Sequence, residues 1–174
     1  MTLRLLVVVD YQHDFVDGSL GFAEAVALEK PICDKIRAYR ENGDDVVYTM
    51  DTHEENYLET QEGRKLPVPH CRRGTPGWQL FGEAGKELAG CRSFEKETFG
   101  SAALFSFLQQ NLYDSIELVG VVSNICVISN AVLAKTARPE AEILVDARCT
   151  ASNDARLNEM ALKVMAGLQI TVIS

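Results

Sequence analysis

Apolar runs rich in Val and Ile recur along the chain, at Leu3 to Val9, Asp45 to Met50, Ser115 to Val121, Glu142 to Val145 and Ile170 to Ile173. Runs without polar alternation predict strands buried on both faces, as in a parallel sheet. Between them the period changes. Pro31 to Asn42 sets Ile32, Ile36 and Tyr39 on one helical face and stops at Gly43, and Ala102 to Leu112 does the same with Leu104, Phe105 and Leu108. Two further helices are expected over Ile125 to Ala134 and Asn153 to Gly167, the second opening on an Asn or Asp cap. Strand and helix in alternation predict a three-layer α/β/α fold, with a mostly parallel sheet of about five to six strands. In such a sheet the functional crevice lies at the carboxyl ends of the strands. Residues 51–77 are the one long stretch without periodicity, and loops of that length commonly carry function.

Length and composition narrow the class. At 174 residues, 47% apolar and 24% charged, the chain reads as one domain over residues 1–174. No segment reaches the roughly 18 apolar residues of a membrane span, and Leu3 to Val9 is too short for a signal peptide. A cytoplasmic protein with no membrane partner is expected. The net charge of −8 offers no positive field for a phosphate backbone, so nucleic acid is not expected as a partner. Five cysteines without CxxC spacing suggest neither a disulfide framework nor a four-thiolate zinc site.

The residues that follow the strands carry the candidate chemistry. Asp10 comes directly after three valines, where partial burial can tune a carboxylate for acid/base work; standing alone it would read as a turn cap. Asp51 and His53 lie two apart on an extended segment, so both side chains can face one way, and His70 arrives from the proline-flanked Pro67-Val68-Pro69. One carboxylate and two imidazoles form a first-row metal set with open positions. Glu62 is a candidate fourth ligand in competition with Glu54, Glu55 and Glu59, while His13 follows no strand end and is assigned to the surface. Lys96 lies in a short alternating segment, Cys91 to Phe99, from which it can stabilise a thiolate; standing alone it would read as a surface lysine. Cys126 sits in the first turn of a helix opened by Gly120-Val121-Val122-Ser123-Asn124, and the positive helix end there favours its thiolate; standing alone it would read as a small buried core residue.

Taken in order, these motifs resemble the isochorismatase-like cysteine hydrolases, in particular their metal-dependent nicotinamidase branch. Val9-Asp10-Tyr11-Gln12-His13-Asp14-Phe15 is similar to the opening motif of that family. Met50-Asp51-Thr52-His53 and Pro69 to Gly77 resemble its metal-site motifs, Phe94-Glu95-Lys96 its lysine strand, and Gly120 to Val127 its nucleophile turn. The resemblance implies a catalytic triad of Asp10, Lys96 and Cys126. It also implies a non-proline cis bond at Val121–Val122, with the backbone N–H groups of Val122 and Cys126 as an oxyanion hole. One divalent metal is implied at Asp51, His53 and His70, zinc first, with iron and manganese suiting the same donors. A small-molecule amide is implied as substrate, in a pocket bordered by Phe15, Val122, Leu66 and Trp78, and a homo-oligomer is compatible with the family.

Two positions depart from the branch, as do the residues after Lys96. Pro67, between Leu66 and Val68, stands where an aromatic residue usually packs on the substrate ring, leaving Trp78 or Phe99 to supply that wall or the pocket to suit another amide. Asn124 replaces a common aspartate. The reaction expected is hydrolysis of a small carboxamide, such as nicotinamide, through a Cys126 thioester. Two alternatives are a metal-independent vinyl-ether hydrolase of the isochorismatase kind, against which Asp51, His53 and His70 argue, and a non-catalytic metal-binding or thiol-sensing domain on the same fold.

Overall fold

The computed structural model describes residues 2–174. β1 (Arg4–Val9) leads through α1 (His13–Val16), α2 (Ala23–Ala27) and α3 (Glu29–Glu41) to β2 (Asp45–Asp51). The aperiodic stretch that follows contains a 3-10 turn at Tyr57–Glu59, the short α4 (Gln61–Lys65) and a second 3-10 turn at Pro76–Trp78, before α5 (Gly82–Glu87) and β3 (Arg92–Lys96). The remainder alternates regularly: α6 (Ala102–Gln110), β4 (Ser115–Val121), a π-helical turn at Ser123–Val127 continuing into α7 (Ile128–Ala137), β5 (Glu142–Ala151), α8 (Ala155–Gly167) and β6 (Thr171–Ile173). All strand pairs are parallel, in the order β3-β2-β1-β4-β5-β6.

Two differences from the sequence pattern have physical causes. β5 runs past Val145 to Ala151, because the charged Asp146 inside it is buried against Lys35 and so does not end the strand. β3 lacks an apolar run because it is the sheet edge, turning only Phe94 and Lys96 inward. The helices α3, α6 and α8 lie within about two residues of the spans expected for them, while α7 is shifted by three at each end because Ser123–Val127 forms a π-helical turn before it. Asp154 caps α8, its carboxylate accepting from the backbone N–H groups of Arg156 and Leu157.

Side chains of the sheet enter two cores, one on each face. Leu5, Val7, Val9, Ile116, Leu118, Ile143 and Val145 pack under α6, α7 and α8, while Leu6, Val8, Val119 and Val121 pack under α3 with Ile32 and Ile36. The strand order reverses between β1 and β4, since the chain builds outward from β1 in one direction and then returns to build in the other. The crevice therefore opens between the carboxyl ends of these two strands. Gly120 marks the place. Its φ is +109°, and a Cβ there would lie 2.1 Å from the carbonyl oxygen of Val9, so only glycine lets β4 approach the end of β1 this closely. No helix among the described residues is long and apolar enough to cross a membrane.

Candidate active site and metal centre

Four strands deliver their last residues to this crevice: Asp10 from β1, Asp51 from β2, Lys96 from β3 and, one turn beyond β4, Cys126. In the β2–β3 register Asp51 is the partner of Lys96. The Lys96 Nζ lies 2.7 Å from Asp10 Oδ2, 3.3 Å from Asp51 Oδ1 and 3.6 Å from Cys126 Sγ. It also donates to the carbonyl of Thr98 at 2.9 Å. Thr49 fixes the other side of Asp10, donating its hydroxyl to Oδ1 at 2.7 Å. Asp10 Oδ2 is close to the ammonium but off the line of a good hydrogen bond, which leaves it the underused oxygen of the group. Asp10 itself adopts φ +47°, a left-handed conformation unusual for a non-glycine residue and of the kind that collects at functional sites.

Burial sets the protonation of this group. The thiol of Cys126 is pushed well up by burial and by the neighbouring Asp10 carboxylate, more than Lys96 can offset. The helix-end argument from the sequence is thereby overturned for the resting state: Cys126 rests as a thiol, and a base must remove its proton. Burial, reinforced by the charge of Asp51, raises the Asp10 carboxyl above its ordinary range even though Lys96 and Thr49 pull it down. Burial opposes the charge of Lys96, but Asp10, Cys126 and Asp51 together keep it an ammonium far into alkaline pH.

The histidines meet Asp51 because the chain beyond β2 is annexed by the segment that follows His70. His53 donates its N–H to the carbonyl of Cys71 at 3.0 Å and accepts from Arg73 at 2.8 Å, forming a parallel bridge with Arg72. Asp51, His53 and His70 are buried, and their donor atoms all lie within 4.8 Å of one another. Nε2 of His53 is 2.9 Å and Nε2 of His70 3.4 Å from Asp51 Oδ2. Glu62 Oε1, on α4, is 3.8 and 3.7 Å from the same two nitrogens, so of the acids weighed for a fourth position it is Glu62 that reaches the cluster. The Nδ1 of His70 lies 2.8 Å from the carbonyl of Val68, which fixes Nδ1 as the protonated nitrogen and leaves the Nε2 lone pair facing the cluster. Two imidazole nitrogens converging on a carboxylate are a donor set that fits a divalent cation of the zinc, iron or manganese type.

Residues without an obvious sequence signal hold these groups in place. Gln12 is fully buried and uses its amide as a stand-in strand residue: Oε1 accepts from the Asp51 N–H at 2.8 Å, and Nε2 donates to the carbonyls of Asp51 at 2.9 Å and Trp78 at 2.8 Å. Asp14 accepts from the Cys71 N–H at 2.7 Å, tying down the turn after His70. Asn130 on α7 donates to the carbonyls of Cys126 at 2.8 Å and Phe99 at 3.1 Å, and accepts from the Ser101 N–H at 2.9 Å. Gln12 and Asp14 lie within the opening motif and Asn130 on α7, but only their partners across the fold reveal their use. His13 is half-exposed beside Asp17, as expected.

Between the metal-type cluster and Cys126 lies a cavity of about 190 Å3, bordered by Phe15, Leu66, Phe99, Val122 and Ile125, with Asp51, Glu62, His70 and Cys126 at its polar end. The ring of Phe15 stands 5.4 Å from that of His70. The expectation for Trp78 is corrected. Its 3-10 turn is held by Gln12, its indole donates to Thr52 Oγ1 at 2.9 Å, and its ring borders a separate groove with Tyr48 and Met50. Phe99 supplies the aromatic wall in its place, joined by Leu20 and Phe22 from a segment without periodicity. The Val121–Val122 bond is cis, as the resemblance implied.

Comparison with known proteins places this arrangement. Residues 4–174 match the isochorismatase domain family. The chain belongs to the isochorismatase family. Within it, the chain is 28% identical to the nicotinamidase/pyrazinamidase of Mycobacterium tuberculosis, over 91% of its own length and 94% of that protein. The nicotinamidase/pyrazinamidase of Bacillus subtilis superposes with a TM-score of 0.89 at 25% identity, covering 99% of this chain and 100% of that one. The pyrazinamidase of Pyrococcus horikoshii, solved in complex with zinc, superposes with a TM-score of 0.83 at 25% identity, over 98% of both chains. The isochorismatase-family fold thus extends over nearly the whole chain.

Proposed function

We infer that this isochorismatase-family protein is a metal-dependent amidohydrolase that cleaves a small carboxamide, nicotinamide first, to the acid and ammonia through a Cys126 thioester. The observation that carries the reading is the meeting of Asp10, Lys96 and Cys126 beside a cavity that Cys126, Asp51, His70 and Glu62 line at its polar end, with His53 completing the metal-type cluster. A cavity of about 190 Å3 is smaller than the pockets of drug-sized ligands, roughly 300 Å3 and above. Its apolar walls suit a single ring. The amide hydrolases named above, one of them solved with zinc, support the same reaction class.

The chain's own residues account for the steps. Asp10, kept above the ordinary carboxylate range and facing the thiol, takes the Cys126 proton as sulfur bonds to the amide carbon. Lys96, locked as an ammonium 3.6 Å from Sγ, balances the negative charge that appears there. The N–H groups of Val122 and Cys126 are assigned to the carbonyl oxygen as it becomes an oxyanion. Asp10 then returns the proton to the amide nitrogen, the C–N bond breaks and ammonia leaves. For the thioester, Asp10 takes a proton from water as its oxygen attacks the acyl carbon, and hands that proton to the departing sulfur. Asp51, His53 and His70, with Glu62 beside them, would hold the divalent cation, which supplies a Lewis-acid anchor for a ring nitrogen and so orients the carboxamide.

Ammonia release measured over nicotinamide, pyrazinamide and simple aliphatic amides tests this reading. Turnover of a ring amide that is lost in Cys126→Ala and abolished by chelation supports it. Absence of turnover across the panel by metal-loaded protein, or equal turnover after complete metal removal, overturns it.

A further inference from the structure

Two cavities that differ in polarity meet at the metal-type cluster. The amide cavity opens through large apolar side chains that remain substantially exposed, Leu66 at 39%, Phe99 at 46% and Ile125 at 38%. The second cavity is larger, about 470 Å3, and its walls include Thr52, His53, Asn56, Gln61, Glu62 and Glu97. Glu62 borders both. Of the three proposed ligands, His53 faces the polar cavity, while Asp51 and His70 face the apolar one.

A hydrated divalent ion crossing the apolar mouth would lose water oxygens without gaining others, a costly exchange for a hard cation. The polar cavity presents hydroxyl, amide and carboxylate oxygens along its wall. Glu54, which also borders it, is occupied by Arg73 at 2.9 Å. Glu97 makes no ion pair among the described residues and so keeps its negative charge directed at mobile cations. A concave wall of one sign concentrates counter-ions and speeds their arrival.

We propose that the polar cavity is the route by which a divalent cation reaches Asp51, His53 and His70, with Glu62 at its inner end. The cation and the amide then enter by separate doors, and metal can exchange while the amide cavity is filled. This inference rests on the reading of those three residues as a metal site, and its test needs no turnover.

Co2+ is the probe, mixed by stopped flow with metal-free protein and followed by its absorption, with release read by a chelator. Gln61→Trp, at an exposed position on the polar wall, is expected to slow association and dissociation alike, about tenfold each, leaving the Kd unchanged as a narrowed path requires. Glu97→Gln should slow association alone, about threefold at low salt. Leu66→Trp, at the amide mouth, should raise KM for the amide and leave both Co2+ rates as in the wild type. In the wild-type sequence, carboxamidomethylation of Cys126 should likewise leave Co2+ entry unchanged. Co2+ rates that are indifferent to Gln61→Trp, or that fall in Leu66→Trp or after alkylation, would overturn the route while leaving the metal site standing. No Co2+ binding by the wild-type protein would overturn the metal reading, and the route with it.

Discussion

Two clusters of charge are buried in this protein, and they are built on opposite principles. Beneath α3, Lys35 donates to Glu117 Oε1 and Asp146 Oδ2, both at 2.6 Å, Tyr39 donates to Glu117 Oε2 at 2.7 Å, and Arg148 supplies three more bonds to Asp146. Every carboxylate oxygen there has a donor. At the strand ends, one lysine serves two carboxylates and a thiol, and Asp10 Oδ2 is left without a well-aligned donor. A network with all its partners resists proton movement, because any proton that moves breaks a bond. A network one donor short holds a carboxylate and a thiol ready to exchange a proton, which is the property that a nucleophilic hydrolase requires. Burial alone does not separate the two clusters; donor supply does.

That contrast is broken most sharply by removing the proposed nucleophile. Cys126→Ala should lower amide hydrolysis by about 10⁴-fold or more with little loss of stability; ammonia release close to wild type would remove the strand-end cluster from the chemistry. Asp10→Asn, which keeps the shape and loses the base, should cost about 10²- to 10⁴-fold in kcat. The opposite pattern is expected beneath α3. Lys35→Met leaves Glu117 with Tyr39 alone and Asp146 with Arg148 alone, and should cost about 3 kcal/mol in denaturant unfolding, while kcat per folded molecule stays at the wild-type value. A Lys35→Met protein with normal stability and reduced kcat would reverse the assignment of the two clusters.

A smaller effect is expected at Asn130. Losing its bonds to the Cys126 and Phe99 carbonyls in Asn130→Ala should cost about 1–3 kcal/mol of stability, together with a fall in kcat larger than any change in KM. An unchanged kcat would show that the clamp serves the fold alone. The mildest test uses pH. Burial works against ionisation of Asp146, but Arg148 and Lys35 hold its carboxyl below the usual range. A carboxyl depressed in the folded state contributes stability that is fully present above its unfolded pKa, about 4, and is lost as pH falls below it. The stability gap between wild type and Asp146→Asn should therefore be widest near neutrality and close as pH drops below about 4. A gap that widens in acid would contradict the bonding described beneath α3.

Much of this could be read from the chain. Val-rich runs alternating with helical periods fixed the layer order, and the residues that end those runs, Asp10 and Asp51, are those that reach the crevice. The ordered motifs added His53, His70, Lys96 and Cys126, all of which the fold brings together. Trp78 was misplaced because an aromatic residue near a motif says nothing of which groove its ring will enter; Gln12 and Thr52 decide that through hydrogen bonds. Phe22 and Leu20 carried no signal, since a wall contributed by an irregular segment has no period.

What the sequence determined alone was the kind of chemistry: a thiol and two carboxylates set just after apolar runs that had to become strands, with an amine on a short alternating segment and two histidines in the long stretch that follows. What only the tertiary structure decided was the state of those groups. The Cys126 thiol, expected from its helix end to ionise readily, is held protonated by burial beside Asp10. Protonation depends on solvent exclusion and on charges within a few ångströms, and those distances are set by strands far apart in the chain.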